Sequence, residues 1–222
     1  SKVNFIRYAD DFIVTAAEKT LLEDNVIPAI NEFLKQRSLK LSSEKTKIVR
    51  IEEGFDFLGQ NMRKFRGKLI TTPAKENKKK FLDKVRSIIR KSQGIGAHDL
   101  IQRLNPVILG WANYHRHVQA AKAFSEANAV LFHALMRWAR REHPNKSKGW
   151  IVRKYFSESV KNWAFSCVNK NREESKTLFT LTMPSSVKLV RYIKVQGEAN
   201  PFDHWYLNYF KMRNSKSNCF AI

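Results

Sequence analysis

Two adjacent carboxylates, Asp10 and Asp11, are the side chains of this sequence best suited to chemistry. They lie in VNFIRYADDFIVTA (3–16), which reads as two short apolar strands joined by a tight acidic turn at Ala9–Asp10–Asp11. Like charges this close raise each other's pKa, and a divalent cation beside them removes the conflict. Mg²⁺ suits such a pair, because it takes one or two carboxylates and completes its shell with water and substrate phosphates. The matching chemistry is two-metal phosphoryl transfer, in which one ion lowers the pKa of an attacking hydroxyl and the other takes the charge of the leaving group. Aspartate is also a favoured turn residue, so the pair alone leaves a purely structural turn open.

The remaining candidates are basic. Of 222 residues, 41 are Lys or Arg and 20 are Asp or Glu, a net charge of +21, and the excess is unevenly placed. Residues 1–59 hold 9 basic against 10 acidic side chains, whereas 60–222 hold 32 against 10, a net of +22. That asymmetry points to a polyanion partner rather than to charge kept for solubility. The candidate phosphate contacts are Arg63, Lys64 and Arg66; Lys78, Lys79 and Lys80; Arg137, Arg140 and Arg141; and Lys146, Lys148, Arg153 and Lys154. Arg137, Arg140 and Arg141 share a helix face by their three- and four-residue spacing. Phe65, Trp150, Tyr155 and Phe156 are interleaved with two of these groups, a mixture that suits RNA, where cations meet phosphates and rings stack unpaired bases. Any one of these cations, taken singly, is equally well a solvated surface residue.

Several other classes find no support. Hydrophobic residues are 43% of the chain, which is a globular composition, yet no apolar run approaches the roughly 20 residues that span a bilayer. No secretory signal opens the sequence, and no membrane partner is expected. The thiols Cys167 and Cys219 are expected to be reduced and cytosolic. There is no CxxC pair, and the six histidines lack ligand spacing; His115 and His117, two apart on a helix, point to different sides, so zinc is not expected. No nucleophile elbow or phosphate-cradling glycine loop appears.

These side chains need elements to hold them. Residues 18–37 read as a helix with Pro28 inside it, Lys47–Glu52 as a strand, and Phe55–Thr72 as a hairpin around Arg66–Gly67. From Pro73 the period becomes helical. Phe81, Val85, Ile88 and Ile89 make one stripe, ended by Gly94 and Gly96. A second helix from about Ala97 carries Leu100, Leu104, Ile108, Trp111 and Val118, with a kink expected at Pro106 and close packing at Gly110. A third, Phe124 to Arg141, carries Ala127, Leu131, Ala134, Leu135 and Trp138. Residues 143–163, including Val160 and Trp163, are mixed basic and aromatic; 177–195, including Ile193, look extended; and 214–222 have tail composition.

Tyr8–Ala9–Asp10–Asp11 between apolar strands resembles the YxDD signature of reverse transcriptases, and the resemblance extends over nearly the whole chain. Phe55–Asp56–Phe57–Leu58–Gly59 with its basic hairpin is similar to the primer-grip region of those enzymes. GWANYHR (110–116) is similar to the helical thumb, or maturase domain, of group II intron-encoded proteins. HPNKSKGW and KYF (143–156) resemble that domain's continuation, and Asn200–Pro201–Phe202 with YFKMR (209–213) the end of its DNA-binding region.

The resemblance implies an α+β protein: a palm fragment of β-hairpin, helix and strands (1–72), a helical thumb bundle (73–142), a basic nucleic-acid-binding region (143–213) and a tail (214–222). It implies Mg²⁺-dependent RNA-directed DNA synthesis in the full-length protein, and binding of group II intron RNA to assist splicing. Asp10 would be the direct metal ligand, Asp11 its partner or second ligand, Tyr8 a neighbour of the incoming nucleotide or primer end, and Leu58 and Gly59 primer-backbone contacts. Expected partners are the intron RNA, a DNA target or primer, and the N-terminal half of the same enzyme. The family pattern also needs a metal-binding aspartate upstream of YxDD, together with fingers and early palm strands, and the sequence shows none, so this chain alone is expected to be inactive. Nothing like the cysteine pairs of an HNH-type nuclease follows Arg213. The alternative is a non-enzymatic RNA-binding splicing factor that retains the thumb.

Overall fold

The computed structural model describes residues 3–156, 164–170, 176–190 and 195–216, and Val160, Trp163, Ile193 and Cys219 lie outside them. The chain forms two compact units, 1–55 and 56–222.

In the first unit, β1 (Asn4–Tyr8) and β2 (Asp11–Thr15) pair antiparallel, from Asn4↔Thr15 to Tyr8↔Asp11. Their loop is therefore Ala9–Asp10. Ala9 sits at φ 52°, the left-handed backbone that two-residue hairpin loops require at the first position. A short α1 (Lys19–Leu21) runs through a π-turn at Leu22–Val26 into α2 (Ile27–Lys35). Pro28, in the first turn of α2, needs no N–H there, and the π-turn lies just before it. The strand expected at Lys47–Glu52 is not formed: 46–50 are irregular and 51–53 a turn. A strand needs a ladder, and the two-stranded sheet contains only β1 and β2.

In the second unit, β3 (Phe55–Phe57), β4 (Gln60–Phe65) and β5 (Lys68–Pro73) form a sheet in that order. Both connections are two residues long with positive φ at each: Leu58 (48°) and Gly59 (73°), then Arg66 (48°) and Gly67 (76°). This is the primed-turn geometry that matches strand twist. Leucine there stores about 1–2 kcal/mol of strain.

Helices α3 (Lys75–Lys91), α4 (Ala97–His115) and α5 (Ala121–Glu142) follow. Their stripes meet as read: Phe81, Val85 and Ile89 against Leu100, Leu104, Ile108 and Trp111, closed by Phe124, Leu131, Leu135 and Trp138, all buried. Trp138 Nε1 donates to the Ser92 carbonyl at 2.7 Å, tying α5 to the end of α3. Helix α4 runs unbroken through Pro106, which is exposed. Val118 lies past the end of α4 but still packs on the core. Gly110 does not provide close packing: it is exposed, and a Cβ built on it meets no atom within 4 Å.

Helix α6 (Lys148–Tyr155) adds Ile151 and Tyr155 to the same core, and the hairpin β6 (Ser166–Lys170) and β7 (Lys176–Thr180) packs beside it through Phe165 and Leu181. Asn105 on α4 holds the end of β7, donating to the Thr180 carbonyl at 3.2 Å and accepting from the Thr182 N–H at 2.8 Å. Of the extended stretch expected over 177–195, the described residues form this strand, followed by a 3₁₀ turn at Pro184–Ser186, and 191–194 lie outside them. Helix α7 (Leu207–Lys216) reaches into residues whose composition suggested a tail.

Candidate nucleic-acid interface and candidate metal centre

Asp10 stands in the hairpin loop and Asp11 opens β2, opposite Tyr8; all three are exposed. Tyr8, Phe5 and Ile6 expose 64%, 58% and 55% of their surface, so β1 offers an uncovered apolar edge beside the carboxylates. The oxygens of Asp10 and Asp11 are the hard donors Mg²⁺ prefers, and they fit it in kind. Among the described residues, no cluster of three His, Cys, Asp or Glu side chains assembles around them or elsewhere.

Leu58 and Gly59 are held from the helices. The Leu58 carbonyl accepts from the Tyr114 hydroxyl, and the Gly59 carbonyl accepts from the Ala74 N–H at 3.0 Å. Gly59 lies directly against Asn77: a Cβ there would stand 2.7 Å from Asn77 Nδ2. Asn77 cannot swing away, because its Oδ1 accepts from Trp111 Nε1 and from His115 Nε2, each at 2.9 Å. His115 is fully buried, and burial lowers its pKa to about 4, so the ring is neutral, with the proton on Nε2. Its Nδ1 has no hydrogen-bond partner among the described residues. Trp111 also stacks on Phe81, ring centroids 4.2 Å apart. Trp111, Tyr114 and His115, at spacings of three and four, thus present one face of α4 to the turn and to α3. Asn77 carries no sequence signal of this role, whereas Tyr114 and His115 stand within GWANYHR at helical spacing from Trp111.

The basic candidates fall into four places. Arg63, Lys64 and Arg66 are exposed on β4 and its turn, the Arg66 guanidinium 5.3 Å from the Phe65 ring centroid. On α3, Lys79 and Lys80 are exposed, but Lys78 is engaged by Glu126 of α5; its hydrogen bond and charge hold the Glu126 carboxyl below its ordinary range. Lys78 is thus committed to joining two helices, which sequence spacing could not reveal. Arg137, Arg140 and Arg141 are all exposed on the outer face of α5, away from Leu131, Leu135 and Trp138. Arg140 and Arg141, in its last turn, also complement the helix dipole.

The fourth place is α6. Lys148 and Arg153 are exposed, and the ammonium groups of Lys146 and Lys154 stand 5.5 and 4.8 Å from the half-buried Trp150 ring. His143 Nε2 accepts from the Tyr155 hydroxyl at 2.7 Å. Burial first, then the Lys154 charge, lowers the His143 pKa, while burial pushes Tyr155 up to about 12, so the phenol remains the donor. Cys167 is free and half-buried.

Comparison with known proteins finds two family matches. Residues 78–156 match the maturase-specific domain of group II introns, and residues 1–62 match the reverse transcriptase (RNA-dependent DNA polymerase) family. The chain is 32% identical over 91 residues to maturase-like protein 1 of Euglena gracilis, covering 40% of this chain and 20% of that protein. It is 29% identical over 98 residues to maturase-like protein 1 of Euglena longa, covering 43% and 21%. The match therefore spans about a fifth of the length of those relatives. Fold and comparisons define a class in which a reverse-transcriptase piece is joined to a helical maturase domain. The chain thus carries, in this order, a segment similar to the reverse transcriptase family and a segment similar to the group II intron maturase-specific domain.

Proposed function

We propose that this chain binds group II intron RNA to assist splicing and forms part of an RNA-directed DNA polymerase. The observation that carries the reading is the exposed Arg137–Arg140–Arg141 face of α5, inside the segment matched to the maturase-specific domain. Three cations on one outward face, backed by a net +22 over residues 60–222, suit the phosphates of a structured RNA. Arg63, Lys64, Arg66, Lys79, Lys80, Lys146, Lys148, Arg153 and Lys154 are further candidate phosphate contacts, with Trp150 available for stacking.

For the polymerase, Asp10 and Asp11 would hold Mg²⁺, completed by an aspartate from the N-terminal half of the enzyme. The chemistry such ions supply is charge neutralisation at the attacking and leaving oxygens of phosphoryl transfer. Tyr8 would border the nucleotide, and the braced Leu58–Gly59 turn would hold the backbone of a DNA primer. The uncovered apolar edge of β1 supports a further piece of enzyme packing there. The alternative is a non-enzymatic RNA-binding splicing factor that retains the helical thumb.

Primer extension by the complete enzyme separates the two. Asp10→Asn should abolish extension while leaving RNA affinity within about twofold. Extension near the parental level by that variant would remove the polymerase assignment. Absence of extension by the parent itself, with RNA binding intact, would establish the splicing-factor reading.

A further inference from the structure

An open groove of about 480 Å³ lies between α3 and α4. Its floor is the Phe81–Trp111 stack, its α3 side carries Lys80 and Lys84, and its α4 side carries Pro106, Val107 and Gly110. Lys80 and Lys84 are exposed and four residues apart, on one face of α3, and among the described residues neither has an acidic partner. Such a pair repels itself unless an anion sits between its members.

Gly110 supplies the independent observation. Glycine inside a helix weakens it relative to alanine and is usually explained by tight packing. Here, among the described residues and beyond the helix's own backbone, no atom approaches within 4 Å of where a Cβ would be, and its φ is not in the left-handed region, so neither packing nor backbone geometry there requires glycine. What remains is a low wall on the groove, facing outward.

We propose that this groove binds an unpaired nucleotide of RNA, its phosphate between Lys80 and Lys84 and its ribose and base against Val107 and Gly110. The lysines supply charge complementarity, and the apolar wall of Pro106, Val107 and Gly110 suits a base that has left its stack better than the phosphate rails of a duplex. Gly110 keeps the wall low enough for the sugar to reach the helix. The inference rests on the RNA-binding reading and names one subsite within it.

The test uses the full 222-residue chain, a short labelled oligouridine and an RNA duplex of equal length, with binding read by fluorescence anisotropy and folding by thermal melts. Gly110→Leu and Gly110→Ala fill open space with good helix formers, so both should raise the melting temperature by about 2–4 °C. Gly110→Leu should nonetheless weaken oligouridine binding roughly tenfold, Gly110→Ala less, and duplex binding should change under twofold. Lys80→Ala with Lys84→Ala should make the salt dependence of oligouridine binding shallower by about 1 to 1.5 log units per log unit. Parental oligouridine affinity in Gly110→Leu overturns the proposal, and equal losses on both RNAs overturn the assignment to an unpaired nucleotide. A parent chain that binds neither RNA instead brings down the wider RNA-binding reading, and this subsite with it.

Discussion

Trp111 and Asn77 join α4 to α3 through one hydrogen bond, indole Nε1–H to amide Oδ1 at 2.9 Å, and the same oxygen takes the His115 Nε2 proton at the same distance. On the other side of Asn77, its amide nitrogen fills the space where Gly59 lacks a Cβ. One asparagine therefore fixes the helical bundle and the Leu58–Gly59 turn together.

Asn77→Ala should destabilise the chain by roughly 2–4 kcal/mol, because it strands two buried donors. Asn77→Asp keeps the acceptor and should lose clearly less at neutral pH. Denaturant melts of the three proteins read the order directly; equal stability of parent and Asn77→Ala would show that the amide is not a brace.

His115 makes stability depend on pH. Its pKa is about 4 in the folded chain and near 6.5 unfolded, so between those values the unfolded state binds the extra proton. Its contribution is complete above about pH 6.5 and is lost as pH falls towards 4, by up to about 3 kcal/mol. Melts across pH 4–7 should show that slope in the parent and a flatter one in His115→Gln. A slope unchanged by the substitution would assign the acid sensitivity to other groups.

Gly59 and Gly67 occupy equivalent second positions of two primed turns, at φ 73° and 76°, but only Gly59 faces a pinned side chain. Gly67→Ala should cost about 1 kcal/mol, for left-handed backbone alone. Gly59→Ala adds a 2.7 Å collision with Asn77 and should cost roughly 2–3 kcal/mol. Equal melting temperatures would mean that Asn77 yields.

The hairpin and the three core stripes were legible in the sequence because each depends on local periodicity and turn chemistry. The β1–β2 hairpin and the Phe81, Leu104 and Trp138 stripes follow from spacing alone, although Asp11, read as part of the turn, in fact opens β2 opposite Tyr8. What was not legible depends on partners distant in sequence. Lys78 looks like every neighbouring lysine until α5 brings Glu126 to it, Lys47–Glu52 looks like a strand until no ladder receives it, and Gly110 looks like a packing glycine until its surroundings prove open. β6 escaped notice because SCVNK is short and half polar. The candidate carboxylates were visible at once, whereas the Asn77 brace needed both helices in place.

The outer face of α5 separates binding from folding. Replacing Arg137, Arg140 and Arg141 together by alanine should leave the melting transition nearly unchanged, since all three are exposed off the buried stripe. The same variant should make the salt dependence of RNA binding shallower by up to about 3 log units per log unit. Parental RNA binding by the triple variant would reduce this face to solvated surface.

The most direct measurement is titration of the 222-residue chain with a structured group II intron RNA at several salt concentrations. If about six phosphates are neutralised, log affinity should fall against log salt with a slope of roughly −5. A slope near zero, or no measurable affinity at low salt, would contradict the assignment of the basic helical unit to RNA.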